Sequence, residues 1–310
     1  MTIHSNGKLL LSGEYFVLDG ALALAVPTQL GQNLRVETSA HDTPAVYWKS
    51  YDHEHDRWFE GIFGHQNFEI KACTIPQVAD TLSGILRAVF AQNPTFMNPE
   101  LAYHCSTYLE FPRYWGLGSS STLIHGISTF GRVDPFRVLA ESMGGSGYDI
   151  ACAACDKPIL YRRDGQTQVY ESVDFRPDFC SQLYFVYLGK KQNSRDGIRH
   201  YKEKISLNPS FIDEVSALTI AMTKSTQLID FEIIINEHET LLSSLLQLPK
   251  VKNLYFWDYW GSVKSLGAWG GDFVLLSSNR SATETMAYCK SKGFDTVLSY
   301  EEMVLNAESF

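Results

Sequence analysis

Cysteine is scarce, long apolar runs are missing and positive charge is in deficit. Six cysteines in 310 residues do not make a disulfide scaffold, so a reducing cytoplasm is the expected compartment. A tidy apolar run such as Ala21–Val26 stops after six residues, far short of the roughly 20 needed to cross a bilayer, and no membrane segment is expected. Gly7, Lys8 and Glu14 interrupt the start too early for a charged-then-apolar leader. Lys and Arg total 26 against 35 Asp and Glu, a formal charge of −9. Nucleic-acid binding needs a basic footprint, so no nucleic-acid partner is expected. There is no internal repeat and no low-complexity tract. Neither a G-x-x-x-x-G-K-[ST] loop nor a complete G-x-G-x-x-G is present, which disfavours the P-loop and Rossmann nucleotide folds.

What remains is ordinary globular material: 45% hydrophobic and 20% charged residues, ample for a core and about two domains at this length. Lys8–Leu11, Ala21–Val26, Leu34–Thr38 and Ala102–Leu109 read as short strands. Val46–Tyr51 and Arg57–Phe63 read as a hairpin around a polar turn, Asp52 to Asp56. Apolar residues at Val78, Leu82, Ile85, Leu86 and Val89 predict a helix over Pro76–Gln92. The second half reads as strand Leu160–Arg163, strand Leu183–Leu188, helices Pro209–Leu228 and Phe231–Leu248, strand Phe273–Ser277, helix Ala282–Lys292 and strand Thr296–Leu298. That order suggests an α+β sandwich with helices on one face. The polar stretch Asp164–Gln182 is the expected boundary.

Four segments carry chemistry. The first to stand out is Pro112-Arg113-Tyr114-Trp115-Gly116-Leu117-Gly118-Ser119-Ser120-Ser121-Thr122, which follows a strand and opens the helix Leu123–Phe130. Glycines allow close backbone approach, serines and Thr122 can cap the helix, and the N–H groups at its start suit an anion such as phosphate. A plain capped turn fits the same residues. Near the start, Asn6 to Tyr15 places Lys8 at the head of an apolar strand ending at Gly13-Glu14; a surface lysine reads equally well. In Gly144-Gly145-Ser146-Gly147-Tyr148-Asp149, the carboxylate sits at the start of a short helix, Ile150–Cys155. It is suited either to the helix dipole or to taking a proton from a substrate hydroxyl. Finally, Gly267-Ala268-Trp269-Gly270-Gly271-Asp272 leads into a strand and could lie against a phosphate, or simply turn the chain.

In this order the four segments resemble the signature motifs and catalytic aspartate of the GHMP kinase superfamily, named for galactokinase, homoserine kinase, mevalonate kinase and phosphomevalonate kinase. Gly-Glu-Tyr at 13–15 and Gly-Ser-Gly-Tyr-Asp at 145–149 look most like the mevalonate and phosphomevalonate kinase branches. The resemblance implies an α+β two-domain fold. Residues 1–170 would form an ATP-binding half like ribosomal protein S5 domain 2, and residues 171–310 a ferredoxin-like α/β sandwich. It implies ATP and Mg²⁺ as cofactors and a small-molecule acceptor, an anionic hydroxy acid or phosphorylated metabolite, with a homodimer as an open option. Gly116, Leu117, Gly118, Ser119, Ser120 and Ser121 would wrap the triphosphate. Ser120 and Glu141 would hold Mg²⁺, and Asp149 would act as base or orienting group beside Lys8. Glu14, Ser146, Gly147, Gly267, Ala268, Gly270 and Gly271 would border substrate and phosphates. A diphosphomevalonate-decarboxylase-type enzyme and a kinase-like binding protein without turnover are the alternatives.

The chain departs from the family pattern where Tyr114, Trp115 and Trp269 replace smaller residues. Rings at 114 and 115 could stack on adenine, and Trp269 could reshape the substrate end. The basic run Lys190, Lys191, Arg195 reads as a solvated cluster or as a contact for an anionic substrate. Cys152 and Cys155 read as residues of a buried helix, and Trp257, Tyr259 and Trp260 as core. Asp52, His53, His55 and Asp56 read as a hydrated hairpin tip.

Overall fold

The computed structural model describes every residue except 166, 191–193, 205–208, 268, 270 and 306–310. The chain forms two compact units. The first comprises Met1–Gly7, Leu30–Arg113 and Leu117–Ala154, and the second Lys8–Gln29, Tyr114–Gly116 and Cys155–Phe310.

The first unit is built on β2 (Ala23–Ser39, of which Gln32–Ser39 pairs here), β3 (Val46–Tyr51), β4 (Arg57–Phe63), β5 (Ile70–Cys73) and β6 (Ala102–Leu109). The order is β5-β4-β3-β6-β2, antiparallel except for the parallel β3–β6 pair. β1 (Thr2–Ser12) pairs with β2. Burial alternates along β3, β4 and β6, as a sheet covered on one face requires. Trp48, Phe59, Phe63 and Cys105 therefore face the helices. Those are α1 (Pro76–Gln92), α2 (Ser119–Gly131), α3 (Pro135–Ser142) and α4 (Tyr148–Ala153). Leu82, Ile85, Leu86 and Val89 of α1 meet Ile124 and Ile127 of α2 in this core.

The second unit contains the start of β2, whose Ala23–Ala25 pair with β7 (Ile159–Asp164), which in turn pairs with β8 (Thr167–Ser172). It also contains β9 (Leu183–Tyr187), α5 (Ser194–Lys204), α6 (Pro209–Lys224), α7 (Leu228–Leu246), α8 (Val251–Tyr255), β10 (Val263–Ser265), β11 (Phe273–Ser277), α9 (Ala282–Ser291), β12 (Val297–Ser299) and α10 (Tyr300–Met303). The four later strands lie in the order β10-β11-β9-β12, all antiparallel. With α6–α7 after β9 and α9 after β11, this is the split βαβ arrangement of a ferredoxin-like sandwich, as expected.

Three local expectations change. Leu34–Thr38 and all of Ala21–Val26 but its first two residues belong to one strand, β2. The polar residues between them stay extended because Glu110 accepts the Gly31 N–H at 2.7 Å and the Asn33 amide at 2.8 Å. The polar stretch from Asp164 holds a strand, β8, turned back through Gly165 at φ 59°. The helix expected from Leu123 begins at Ser119, with left-handed Gly118 at its N-cap and no side-chain cap. The Ser121 and Thr122 hydroxyls donate backwards to the Gly118 carbonyl instead.

Ile85 is fully buried in α1. Ile85→Ala is expected to lower stability by about 2–5 kcal/mol, read as a reduced urea midpoint at unchanged m-value.

Candidate active site

Start with the glycine turn before α2. Gly116 and Gly118 take φ 68° and 91°, a left-handed backbone that glycine enters without penalty. Gly116 has a second reason to be glycine: a Cβ there would lie 2.0 Å from an Asp272 carboxylate oxygen. Lys8 Nζ donates to the Gly116 carbonyl at 2.9 Å, so the lysine that heads the apolar stretch of β1 is tied to this turn. Within the predicted wrap, Leu117 is core and Ser121 is buried with its hydroxyl committed to Gly118; these two offer a ligand only backbone. Ser119 is half-buried and Ser120 exposed. No side chain caps α2, so its first N–H groups and its dipole are left available to an anion.

Tyr114 and Trp115 pack on Tyr187 at centroid distances of 5.7 and 6.3 Å, and Trp115 meets Phe273 edge-on at 5.4 Å. Arg113 lies 3.5 Å over the Trp58 ring. Burial draws its guanidinium pKa down and Asp52 opposes that.

Asp149 sits in the first turn of α4, half-buried, its Oδ1 accepting the Ile150 N–H at 3.1 Å. Gly144, Gly145 and Gly147 before it all take positive φ, which turns the chain sharply into that helix; Ser146 between them is half-buried. Glu141 lies exposed on α3, 3.9 Å from Arg137. Among the described residues no group of three or more His, Cys, Asp and Glu side chains is arranged to hold a metal.

Glu14 is interior rather than lining an open surface: it is 1% exposed and forms an ion pair with fully buried Lys264 of β10. Burial pushes the Glu14 carboxyl up and Lys264 pulls it back. His238 Nε2 approaches the other Glu14 oxygen at 3.3 Å. Burial first, and Lys264 second, hold this histidine far below its usual range, so it is neutral. Glu239 accepts the Ser265 N–H at 3.0 Å and its hydroxyl at 3.1 Å. Losing either member of the Glu14–Lys264 ion pair is expected to cost about 3–5 kcal/mol, because the other would stay buried and charged. Sequence reasoning missed Lys264, His238 and Glu239, although His238 and Glu239 fall on the stripe Phe231, Ile235, Leu242, Leu246 of α7 that is otherwise apolar.

In the last glycine loop Gly267 takes φ 62° and Gly271 is buried, while Ala268 and Gly270 lie outside the described residues. Trp269 is turned into the core of the second unit with Tyr15, Phe16 and Leu246. Its amide donates to Tyr15 Oη at 2.9 Å and its indole N–H to the Pro249 carbonyl at 3.1 Å. Its ring therefore packs inward. Of the basic run, Lys190 is exposed and donates to Tyr255 Oη at 3.2 Å; Lys191 and the side chain of Arg195 lie outside the described residues. Cys152 is buried and Cys155 half-buried, and neither forms a disulfide. Asp52 caps its own turn by accepting from the Glu54 and Asp56 amides. Tyr259 is core, but Trp257 is 74% exposed. Among the described residues no helix is long and apolar enough to cross a membrane.

The fold is similar to that of several solved small-molecule kinases. It matches the crystal structure of L. major mevalonate kinase in complex with R-mevalonate at TM-score 0.71 and 16% identity, over 99% of this chain and 96% of the other. It matches Streptococcus pneumoniae phosphomevalonate kinase in complex with phosphomevalonate and AMPPNP at 0.68 and 18%, over 96% and 99%. Lactococcus lactis galactokinase complexed with galactose gives 0.68 and 10%, over 98% and 93%. At these identities the likeness is one of fold. No family model and no curated protein sequence matches the chain.

Glu239 yields a pH prediction. Burial raises its carboxyl from 4.5 to about 7, with Glu14 adding to the rise and Lys264 opposing it. Between those values the folded state holds the extra proton, so its contribution to stability is full below about pH 4.5 and is lost as pH rises to about 7, a difference of about 3 kcal/mol. Urea midpoints measured from pH 4.5 to 8 should fall more steeply for the wild type than for Glu239→Gln; parallel profiles would refute the assignment.

Proposed function

We propose that this chain is an ATP- and Mg²⁺-dependent kinase that phosphorylates a hydroxyl of mevalonate or a related anionic acceptor. The observation that carries this reading is the uncapped start of α2 behind two left-handed glycines, with Lys8 fastened to the same turn. A triphosphate fits that donor set: backbone N–H groups, a dipole and an ammonium, with no side chain competing for the N–H groups.

When bound, ATP supplies the transferable phosphoryl group and Mg²⁺ offsets the charge on its phosphates. The N–H groups of Ser119 and Ser120 hold phosphate oxygens. Ser120, which is exposed, and Glu141, whose carboxylate lies 3.9 Å from Arg137, are the residues that would hold the metal. Lys8 stabilises charge developing on the transferred group. Asp149 orients the acceptor hydroxyl and takes its proton on a carboxylate oxygen. A weak base suffices where the transition state is loose. Ser146 and Gly147 are assigned to the acceptor and Gly267 and Gly271 to the phosphates; Ala268 and Gly270, assigned with them, lie outside the described residues. Kinases of the same fold were solved with R-mevalonate, phosphomevalonate and AMPPNP, which supports an acceptor of this class.

The exposed setting of Glu141 favours one second reading, a protein that binds nucleotide and metabolite without turnover. ADP release measured across mevalonate, phosphomevalonate, related hydroxy acids and sugars separates the two. Turnover with one acceptor is expected; binding without ADP release would establish the second reading. Release of CO₂ with ADP would instead mark a decarboxylase. In the active pair, Asp149→Asn should lower kcat by about 10²–10⁴-fold and spare ATP affinity, and unchanged turnover would remove Asp149 from the mechanism.

A further inference from the structure

Tyr15 closes the first motif, and its geometry is not that of a residue filling space. Its backbone lies at φ 61°, ψ −46°, a region that side-chain-bearing residues rarely occupy and that persists only where surroundings enforce it. The ring is buried, stacked on Tyr201 with centroids 5.7 Å apart and planes 15° apart. Its hydroxyl accepts the Trp269 amide at 2.9 Å. On α5, Gly197 packs so closely that a Cβ there would stand 2.5 Å from the same oxygen. The strain, the stacking and the missing side chain at 197 all serve to bring one hydroxyl to one loop amide.

The entry to that loop is held separately. Glu14 pairs with Lys264, and Glu239 takes both Ser265 donors. Two consecutive residues, Glu14 and Tyr15, thus fix the strand before the loop and the loop itself. A phenylalanine at 15 would fill the same core, so the oxygen is what distinguishes tyrosine there.

We infer that Tyr15 is a positioning residue: through the Trp269 amide it fixes Trp269, and with it the described part of the last glycine loop, in the geometry that the transferred phosphate requires. This rests on the phosphoryl-transfer reading for its catalytic consequence, but not for the positioning itself.

Amide hydrogen exchange of the full chain, wild type against Tyr15→Phe, tests the positioning without any substrate. Peptides spanning Gly267 to Asp272 are expected to exchange about tenfold faster, as loss of one buried hydrogen bond implies, while peptides from α1 and α7 are unchanged. Equal loop exchange, or acceleration spread through the whole second unit, would overturn the proposal. Gly197→Ala retains the tyrosine but pushes its hydroxyl aside, and should reproduce the same local pattern should Tyr15→Phe fold poorly. With the acceptor found by ADP release, Tyr15→Phe should lower kcat/KM about ten- to hundredfold at a Tm close to wild type. A fall in Tm with unaltered kinetics would mark a purely structural residue. Absence of any turnover by the wild type would sink the kinase reading and leave the exchange result standing on its own.

Discussion

The second unit is organised around a charge that has no access to water. Glu14 and Lys264 lie 250 residues apart in sequence and are both essentially unexposed. Removing two such charges from solvent is costly unless they meet with good geometry and spend their remaining hydrogen-bonding capacity. Lys264 does so through Glu14 and the Ser265 carbonyl, and Glu239 absorbs the donors of Ser265. The end of β1, the middle of α7 and all of β10 must therefore sit where these groups are satisfied. A slip of one residue in β10 would turn Lys264 to the other face and strand Glu14. Apolar packing would tolerate many arrangements here; this constellation tolerates few.

The same economy governs how an acidic chain can present itself to an anion. A formal charge of −9 describes a solvated exterior. In the proposed reading, the positive field near Gly116 would come from backbone N–H groups, a helix dipole and Lys8, none of which requires a basic surface. Asp272 lies against Gly116, so the field at the turn is mixed in sign and confined to a few ångströms.

Much of this was legible beforehand. Helix α1 and strands β3, β4 and β6 have the ends that their periodicity predicts, because a proline, a polar turn or a clean alternation marks each boundary. Strand β8 was not legible: Thr-Gln-Val-Tyr-Glu-Ser is mostly exposed and is held by backbone pairing with β7 rather than by an apolar face. Helix α5 is equally polar, and it joins the core through buried Tyr201 and partly buried Ile198. The glycine motifs could be found because close backbone approach demands a particular residue type at a particular place. The network behind them could not be read as a network, since its members are single polar residues whose partners lie far along the chain. A lysine in a strand of buried residues and two polar positions on an apolar helix stripe were the only traces. Trp269 misled for a related reason: in sequence it interrupts a glycine loop, whereas in space it is a core side chain that the loop borrows.

The interleaving of the two units bears on how the protein is made. Residues Lys8–Gln29 belong to the unit whose bulk begins at Cys155. At about 5–20 residues per second, synthesis of the intervening segment takes about 6–25 s. Through that interval Phe16, Val17 and Tyr15 have left the ribosome without the core they will enter, while the first unit is being completed around them in sequence. The order of translation and the order of assembly are thus opposed, and contacts such as Glu14–Lys264 and Tyr15–Trp269 must wait until the chain is almost finished. Such late, distant closures are slow to find, so the apolar residues at 15–17 wait longest for the core they enter.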